Sequence, residues 1–190
     1  MQPYSNLVCV HDGKLARNGR LLNMKHKVFV VSEAFSEEAS NEEVCRAAVE
    51  PLVTQVHRGL PATILFYGQT GTGKTHTLLG ALQYIASSFA GLTVDLTFYE
   101  IRGKRCFDLL SDRAVVHLRS DSHEHVHVRG CRVEHFSALQ PEHFMAVLAG
   151  ALANRSSKVT ERNPVSSRSH AICTLAVPPP SGRTASLRLV

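Results

Sequence analysis

Tryptophan is absent, and aromatics make up only 6% of the 190 residues. So sparse an aromatic set argues against a base-stacking platform for single-stranded nucleic acid. No run of about 18 apolar residues occurs, so nothing reads as a membrane-spanning helix. The first residues, MQPYSNLVCV, lack a basic stretch leading into an apolar core, which is the pattern of a secretory signal. The five cysteines (Cys9, Cys45, Cys106, Cys131, Cys173) are odd in number and form no CxxC pair. They read as buried or free thiols of a reducing compartment. Internal repeats, long linkers and coiled-coil heptads are also missing.

What remains suits one α/β domain. Hydrophobic residues are 44% and charged residues 19%, enough apolar surface for a sizeable core. A net charge of +5 favours acidic partners: nucleotides, nucleic acid or an acidic protein surface. Residues 1–27 read as loop plus short strands, and VFVV (28–31) as a strand. A helix is expected over 36–58, capped by Ser40 or Asn41, with an apolar stripe of Val44, Ala47, Ala48, Val53 and Val56 interrupted by Pro51. ATILFY (62–67) is a short continuous apolar run, the mark of a strand buried on both faces. A helix follows over 74–89, with Gly80 as its weak point. LTVDLTFYEI (92–101) alternates as a strand. RCFDLL, AVVHL and HVHVRG give short strand or hairpin pieces. A helix is expected over 141–155, with Phe144, Val147, Leu148 and Leu152 on one face. A polar loop (158–169) then leads into strands 170–177 and 184–190.

Between the strand at 62–67 and the helix at 74–89 lies GQTGTGKT (68–75), which fits G-x-x-x-x-G-K-[ST] without a mismatch. The glycines let the backbone curl so that several N–H groups face inward as an anion nest. The helix start adds the positive end of its dipole. Lys74 supplies a mobile charge for β- and γ-phosphates, and Thr75 a hydroxyl oxygen for Mg²⁺. Downstream, NPVSSRSH (163–170) places two serines beside an arginine in a polar loop before a strand. Serine hydroxyls can complete a Mg²⁺ shell or hold an attacking water. Arginine can pair with a carboxylate or stabilise transition-state charge. Alone, that loop reads better as a helix cap or a phosphorylation-type loop; its pairing with the glycine loop reverses the preference toward γ-phosphate chemistry.

YGQTGTGKTHT together with NPVSSRSH resembles the kinesin motor domain, the ATP-driven microtubule motor. SNEEVCRAAVEPLV (40–53), LTFYEIRGKRCFDLLS (96–111) and the run from HVHVRG to the SSRSH loop fall in the same order, so the resemblance covers nearly the whole chain. FYEIRGKRCFDLL, PATILFYGQTGTGKTHT and ASLRLV look most like the kinesin-13 branch, whose members depolymerise microtubule ends. The resemblance implies an α/β three-layer P-loop NTPase fold, a central mixed sheet flanked by helices. It implies ATP and Mg²⁺ as cofactors and microtubules as partner. No nucleic acid or membrane is implied, and any dimer would form through regions outside these residues. It also implies a cytoplasmic, cytoskeletal location. Gly68, Gln69, Thr70, Gly71, Thr72, Gly73, Lys74 and Thr75 would cradle the phosphates, with Thr75 on Mg²⁺ and His76 near the base. Asn163 and Ser166 would position the γ-phosphate and attacking water. Ser167 would join the Mg²⁺ shell, and Arg168 would bridge to a switch II glutamate.

Several family features have no match here. The D-L-A-G of switch II would begin directly after LRLV. The helices that follow it, and the first strand with its Arg-x-Arg-Pro, are likewise unmatched. The loop interrupting the helix after the glycine loop is unmatched as well. KLARNG (14–19) holds the place of the branch's Lys-Val-Asp tip. Residues 1–190 are therefore expected to be a partial motor domain: an ATP-hydrolysing microtubule motor in one reading, a fragment binding nucleotide without hydrolysis in the other. An unrelated P-loop NTPase is the third and weakest reading. The strand order expected is 62–67, 184–190, 170–177, 92–101, with 62–67 at an edge and residues 1–35 weakly anchored. The alternation of His123, His125 and His127 would put three imidazoles on one strand face; a solvent-facing hairpin edge is preferred there over a metal site.

Overall fold

In a computed structural model, residues 6–15, 22–122, 126–156, 169–178 and 184–190 are described. They divide into two units, residues 1–40 and 41–190. The first contains a hairpin. β1 (Leu7–Leu15) pairs antiparallel with β2 (Leu22–Val30), Leu7 opposite Val30 and Leu15 opposite Leu22. The expectation of loop plus short strands is corrected here. Alternating residues across the two segments sustain nine paired positions, and β2 starts well before VFVV.

The second unit is built on a mixed sheet. Its strands are β3 (Ala62–Ile64), β4 (Val94–Arg102), β5 (Arg105–Asp108), β6 (Val115–Ser120), β7 (Val126–Arg129), β8 (Glu134–Phe136), β9 (Ser169–Val177) and β10 (Ala185–Leu189). The order is β3-β10-β9-β4-β5-β6-β7, with β8 also on β4. Among the described residues only β3 and β10 run parallel, Leu187 opposite Ala62. The antiparallel β4–β9 pairing runs from Asp95–Ala176 to Arg102–Ser169. The strand order expected from the sequence is the one observed.

Strand β3 departs from the expectation of burial on both faces. It pairs on one side only, with β10, so Leu65 and Tyr67 remain exposed. Regular pairing stops at Ile64, and two further bonds to Val190, just after β10, continue it: Val190 N–H to Ile64 O at 2.9 Å and Phe66 N–H to Val190 O at 2.8 Å.

The helices are α1 (Asn41–Ala48), α2 (Glu50–His57), α3 (Lys74–Ser88) and α4 (Pro141–Ser156). The single helix expected over 36–58 is two, because Pro51 falls in the first turn of α2. There its missing N–H costs nothing, whereas mid-helix it would remove a hydrogen bond. The buried face runs on through the break as one helical stripe, Cys45, Val49, Val53 and Val56, and leaves Ala48 exposed. α3 buries Leu82, Ile85 and Ala86, with its C-cap Phe89 continuing the helical spacing, and α4 buries Phe144, Leu148 and Ala151. Both pack on alternate residues of the central strands: Val94, Leu96 and Phe98 of β4, Cys173 and Leu175 of β9, Leu187 and Leu189 of β10. This core holds the carboxyl end of β3 and the amino end of α3 together, which is where the glycine loop sits.

Candidate nucleotide site

The glycine loop joins β3 to α3. Gly71 and Gly73 have φ of +86° and +85°, and nothing lies within 4 Å of a side chain placed on either. Glycine is needed at both for the backbone conformation, not for space. At Gly68 both reasons hold: φ is +154°, and a Cβ there would lie 2.7 Å from the Thr72 hydroxyl oxygen. That hydroxyl donates to Gln69 O at 2.8 Å and folds the loop into a turn. Gly73 caps α3 with a left-handed residue and no side-chain cap. The first intrahelical bond is Thr77 N–H to Gly73 O at 3.0 Å. The N–H groups of Lys74, Thr75 and His76 thus have no intrahelical acceptor and stand at the positive end of the helix.

Lys74 is half-buried, and its ammonium donates to Gly68 O at 2.8 Å and Gln69 O at 2.6 Å. The charge is drawn back over the loop, over the same residues whose N–H groups would face an anion. Thr75 and His76 are exposed, and the His76 Nδ1 lies 3.5 Å from the Asn41 amide nitrogen. Free donors, a positive helix end, a cation and an exposed hydroxyl match a polyphosphate with a hard divalent cation in chemistry. The site is an open cradle. A shallow cavity of about 450 Å³ lies elsewhere, bounded by Ile101, Lys104, Val116 and Arg119.

Asn163, Ser166, Ser167 and Arg168 lie outside the described residues, as do His123 and His125. His127 pairs with Asp121 at 2.8 Å, and no metal-binding group of three or more His, Cys, Asp or Glu occurs among the described residues.

The flanks of 157–168 are described, and they meet at a residue the sequence reading passed over. Glu100 of β4 is 1% exposed. Its Oε1 accepts from the Ser169 hydroxyl at 2.8 Å and from Arg155 Nε at 3.3 Å. Arg155 Nη2 also donates to Ser169 O at 3.3 Å. The Arg113 guanidinium makes a close ion pair with Oε2, at 2.7 Å. Burial pushes the Glu100 carboxyl up, but the Ser169 hydrogen bond, Arg113 and Arg155 outweigh it and hold it below the usual carboxylate range. The signal was present: positions 94, 96, 98 and 100 read Val, Leu, Phe, Glu, an acid on the inward face of an apolar strand.

The sequence profile of the kinesin motor domain matches residues 9–187. The chain belongs to the kinesin motor domain family. Among its kinesin relatives, Kinesin-like protein KIN-13B of Arabidopsis thaliana is 33% identical over 92% of this chain and 26% of its own length. Diatom spindle kinesin-1 of Cylindrotheca fusiformis is 33% identical over 90% of this chain and 28% of its own. Kinesin-like protein KIF24 of Mus musculus is 32% identical over 92% of this chain and 14% of its own. The chain thus spans less than a third of the length of these kinesins, two KIN-13 proteins being among those it resembles.

Proposed function

We propose that this chain binds Mg·ATP at residues 68–75 and belongs to a motor that couples ATP hydrolysis to movement on microtubules or to their depolymerisation. The observation that carries the nucleotide half is the left-handed pair Gly71 and Gly73 ahead of α3, with the Lys74 ammonium drawn over the loop. In this reading the N–H groups of Gly71 to His76 bind phosphate oxygens. Lys74 leaves Gly68 O and Gln69 O for the β- and γ-phosphates, exchanging neutral acceptors for charged ones. Thr75, with Ser167, holds Mg²⁺, which neutralises charge on the phosphate oxygens. Gln69, Thr70 and Thr72 shape the loop, and His76 lies near the base. Asn163 and Ser166 orient water and γ-phosphate, and Arg168 pairs with a glutamate of the motor.

Family membership supports microtubules as partner and a cytoskeletal, cytoplasmic setting. So does the exposed basic set Arg102, Lys104, Arg105, Arg119 and Arg129 along β4–β7, suited to an acidic protein surface. Nucleic acid and membrane are not part of the proposal, and dimerisation is left to other segments.

The test is Mg·ATP binding and turnover by the 190-residue chain, with and without microtubules, beside Lys74→Ala. Binding that depends on Lys74 is the expected result, and turnover raised by microtubules would mean that the unmatched switch II is dispensable or replaced. Lys74-dependent binding without turnover would restrict the function to nucleotide binding, the second reading. Binding indifferent to Lys74 would overturn the assignment of the loop.

A further inference from the structure

One face of the β1–β2 hairpin carries nitrogen and sulfur donors. Side chains alternate along a strand, so Cys9, His11 and Gly13 of β1 share a face with Met24, His26 and Val28 of β2. The register sets His11 opposite His26 and Gly13 opposite Met24. Both histidines are exposed. Their rings meet edge to face, with centroids 4.7 Å apart, and the two Nδ1 atoms lie 2.5 Å from each other.

Two imidazole nitrogens this close cannot both present bare lone pairs, nor can both carry protons, since either pair repels. They share one proton, or they share a cation, which satisfies both lone pairs at once. Metal–imidazole bonds are about 2.0 Å long, so a bridging ion asks the nitrogens to part by on the order of 1 Å. Small turns about the side-chain bonds of exposed residues supply that.

Beside the pair the strand carries a glycine. A Cβ at Gly13 would lie 3.0 Å from Met24 Sδ. Glycine inside a strand weakens it and often marks a close approach. Here the space is taken by a thioether sulfur, one same-face position along from the imidazoles. His11 and Met24 are diagonal neighbours across the two strands, about 7–8 Å apart at the backbone, a gap that long side chains span. Methionine, unbranched with three rotatable bonds, is suited to closing it.

No carboxylate shares this face of the hairpin. Mg²⁺ and Ca²⁺, which want oxygen ligands, are therefore poorly served. Zinc sites commonly use four donors drawn from thiolate, imidazole and carboxylate. A thioether joined to imidazoles selects copper(I), a soft ion satisfied by few donors.

We propose that His11, His26 and Met24 form a copper(I) site on the β1–β2 hairpin, with the two Nδ1 atoms and the Met24 Sδ as ligands. The site lies wholly within the hairpin and is independent of the nucleotide reading above. The ion ties the strands together across their middle, so its binding stabilises their pairing.

The test uses the whole 190-residue chain, reduced and free of oxygen, with copper(I) supplied as its bicinchoninate complex. Every sample carries Cys9→Ser, which removes the exposed thiol on the same face. One equivalent of copper(I) is expected to leave the chelator for the protein. Its affinity should fall on the order of 100-fold with His11→Gln or His26→Gln, and on the order of tenfold with Met24→Leu. His135→Gln, on β8 and paired with Asp95, is the control and should leave the affinity unchanged. Circular dichroism checks that each variant folds. Affinity indifferent to either hairpin histidine, or lowered as much by His135→Gln, overturns the site. X-ray absorption at the copper edge is expected to show two nitrogen neighbours and one sulfur; a shell without sulfur removes Met24 from it. Zn²⁺ that displaces copper(I) at equal concentration overturns the choice of ion.

Discussion

Replacing Gly80 by alanine sets two effects of opposite sign against each other. Gly80 lies inside α3, where alanine is preferred to glycine by about 1 kcal/mol on helix propensity. A Cβ at that position would lie 2.6 Å from both Cγ and Nδ2 of Asn41, and 2.9 Å from its Cβ. Apolar atoms rest about 3.5–4.0 Å apart, so the approach is short by about 1 Å. Rotating the Asn41 side chain relieves the first two contacts and leaves the third, which is fixed by the backbone of α1. Over-packing of this kind costs about 1–3 kcal/mol. The net expectation is a loss of about 1 kcal/mol, or roughly 2–4 °C in Tm for a chain of this size. Urea unfolding at unchanged m-value measures it. Asn41→Gly supplies the control: with the obstructing side chain gone, Gly80→Ala should raise stability by about 1 kcal/mol, a coupling of about 2 kcal/mol between the sites. A Gly80→Ala chain more stable than the unmodified one would refute the packing of α1 on α3 described here.

Gly73→Ala should lower stability by about 1–2 kcal/mol from the left-handed backbone alone, because no atom obstructs its Cβ. It should also weaken tripolyphosphate binding, measured by calorimetry; unchanged binding would mean the left-handed cap does not shape the site. Burial pushes the Cys173 thiol from an ordinary 9.0 up to about 12, so the folded state favours its proton. Its contribution is complete below pH 9 and falls as pH rises toward 12, by about 1.4 kcal/mol per unit. Cys173→Ala should remove that slope from alkaline unfolding curves, whatever it costs at neutral pH. An unchanged slope would mean the thiol is not sequestered in the core.

Local signals placed much of the fold. The helices 74–88 and 141–156 and the strands β4, β9 and β10 declare themselves through apolar period and bounding turn residues. The errors have local causes too. Pro51 was read as an interruption of one helix when it opens a second, because a proline's meaning depends on whether the backbone has already turned. The apolar run 62–67 suggested burial on both faces, yet Leu65 and Tyr67 are exposed; the edge position beside β10 was the expected one, and its consequence for burial was not read from composition.

The family and the glycine loop are legible in the sequence alone. Both rest on contiguous residues whose chemistry is local: glycines at set spacing, a lysine and a threonine opening a helix. The convergence of Glu100, Arg113, Arg155 and Ser169 appears with the folded chain. They are drawn from positions 100 to 169, and no spacing rule links them. Their meeting is a product of β4 pairing with β9 and α4 packing beneath, which brings distant charges to one buried point where only complementary partners make burial tolerable.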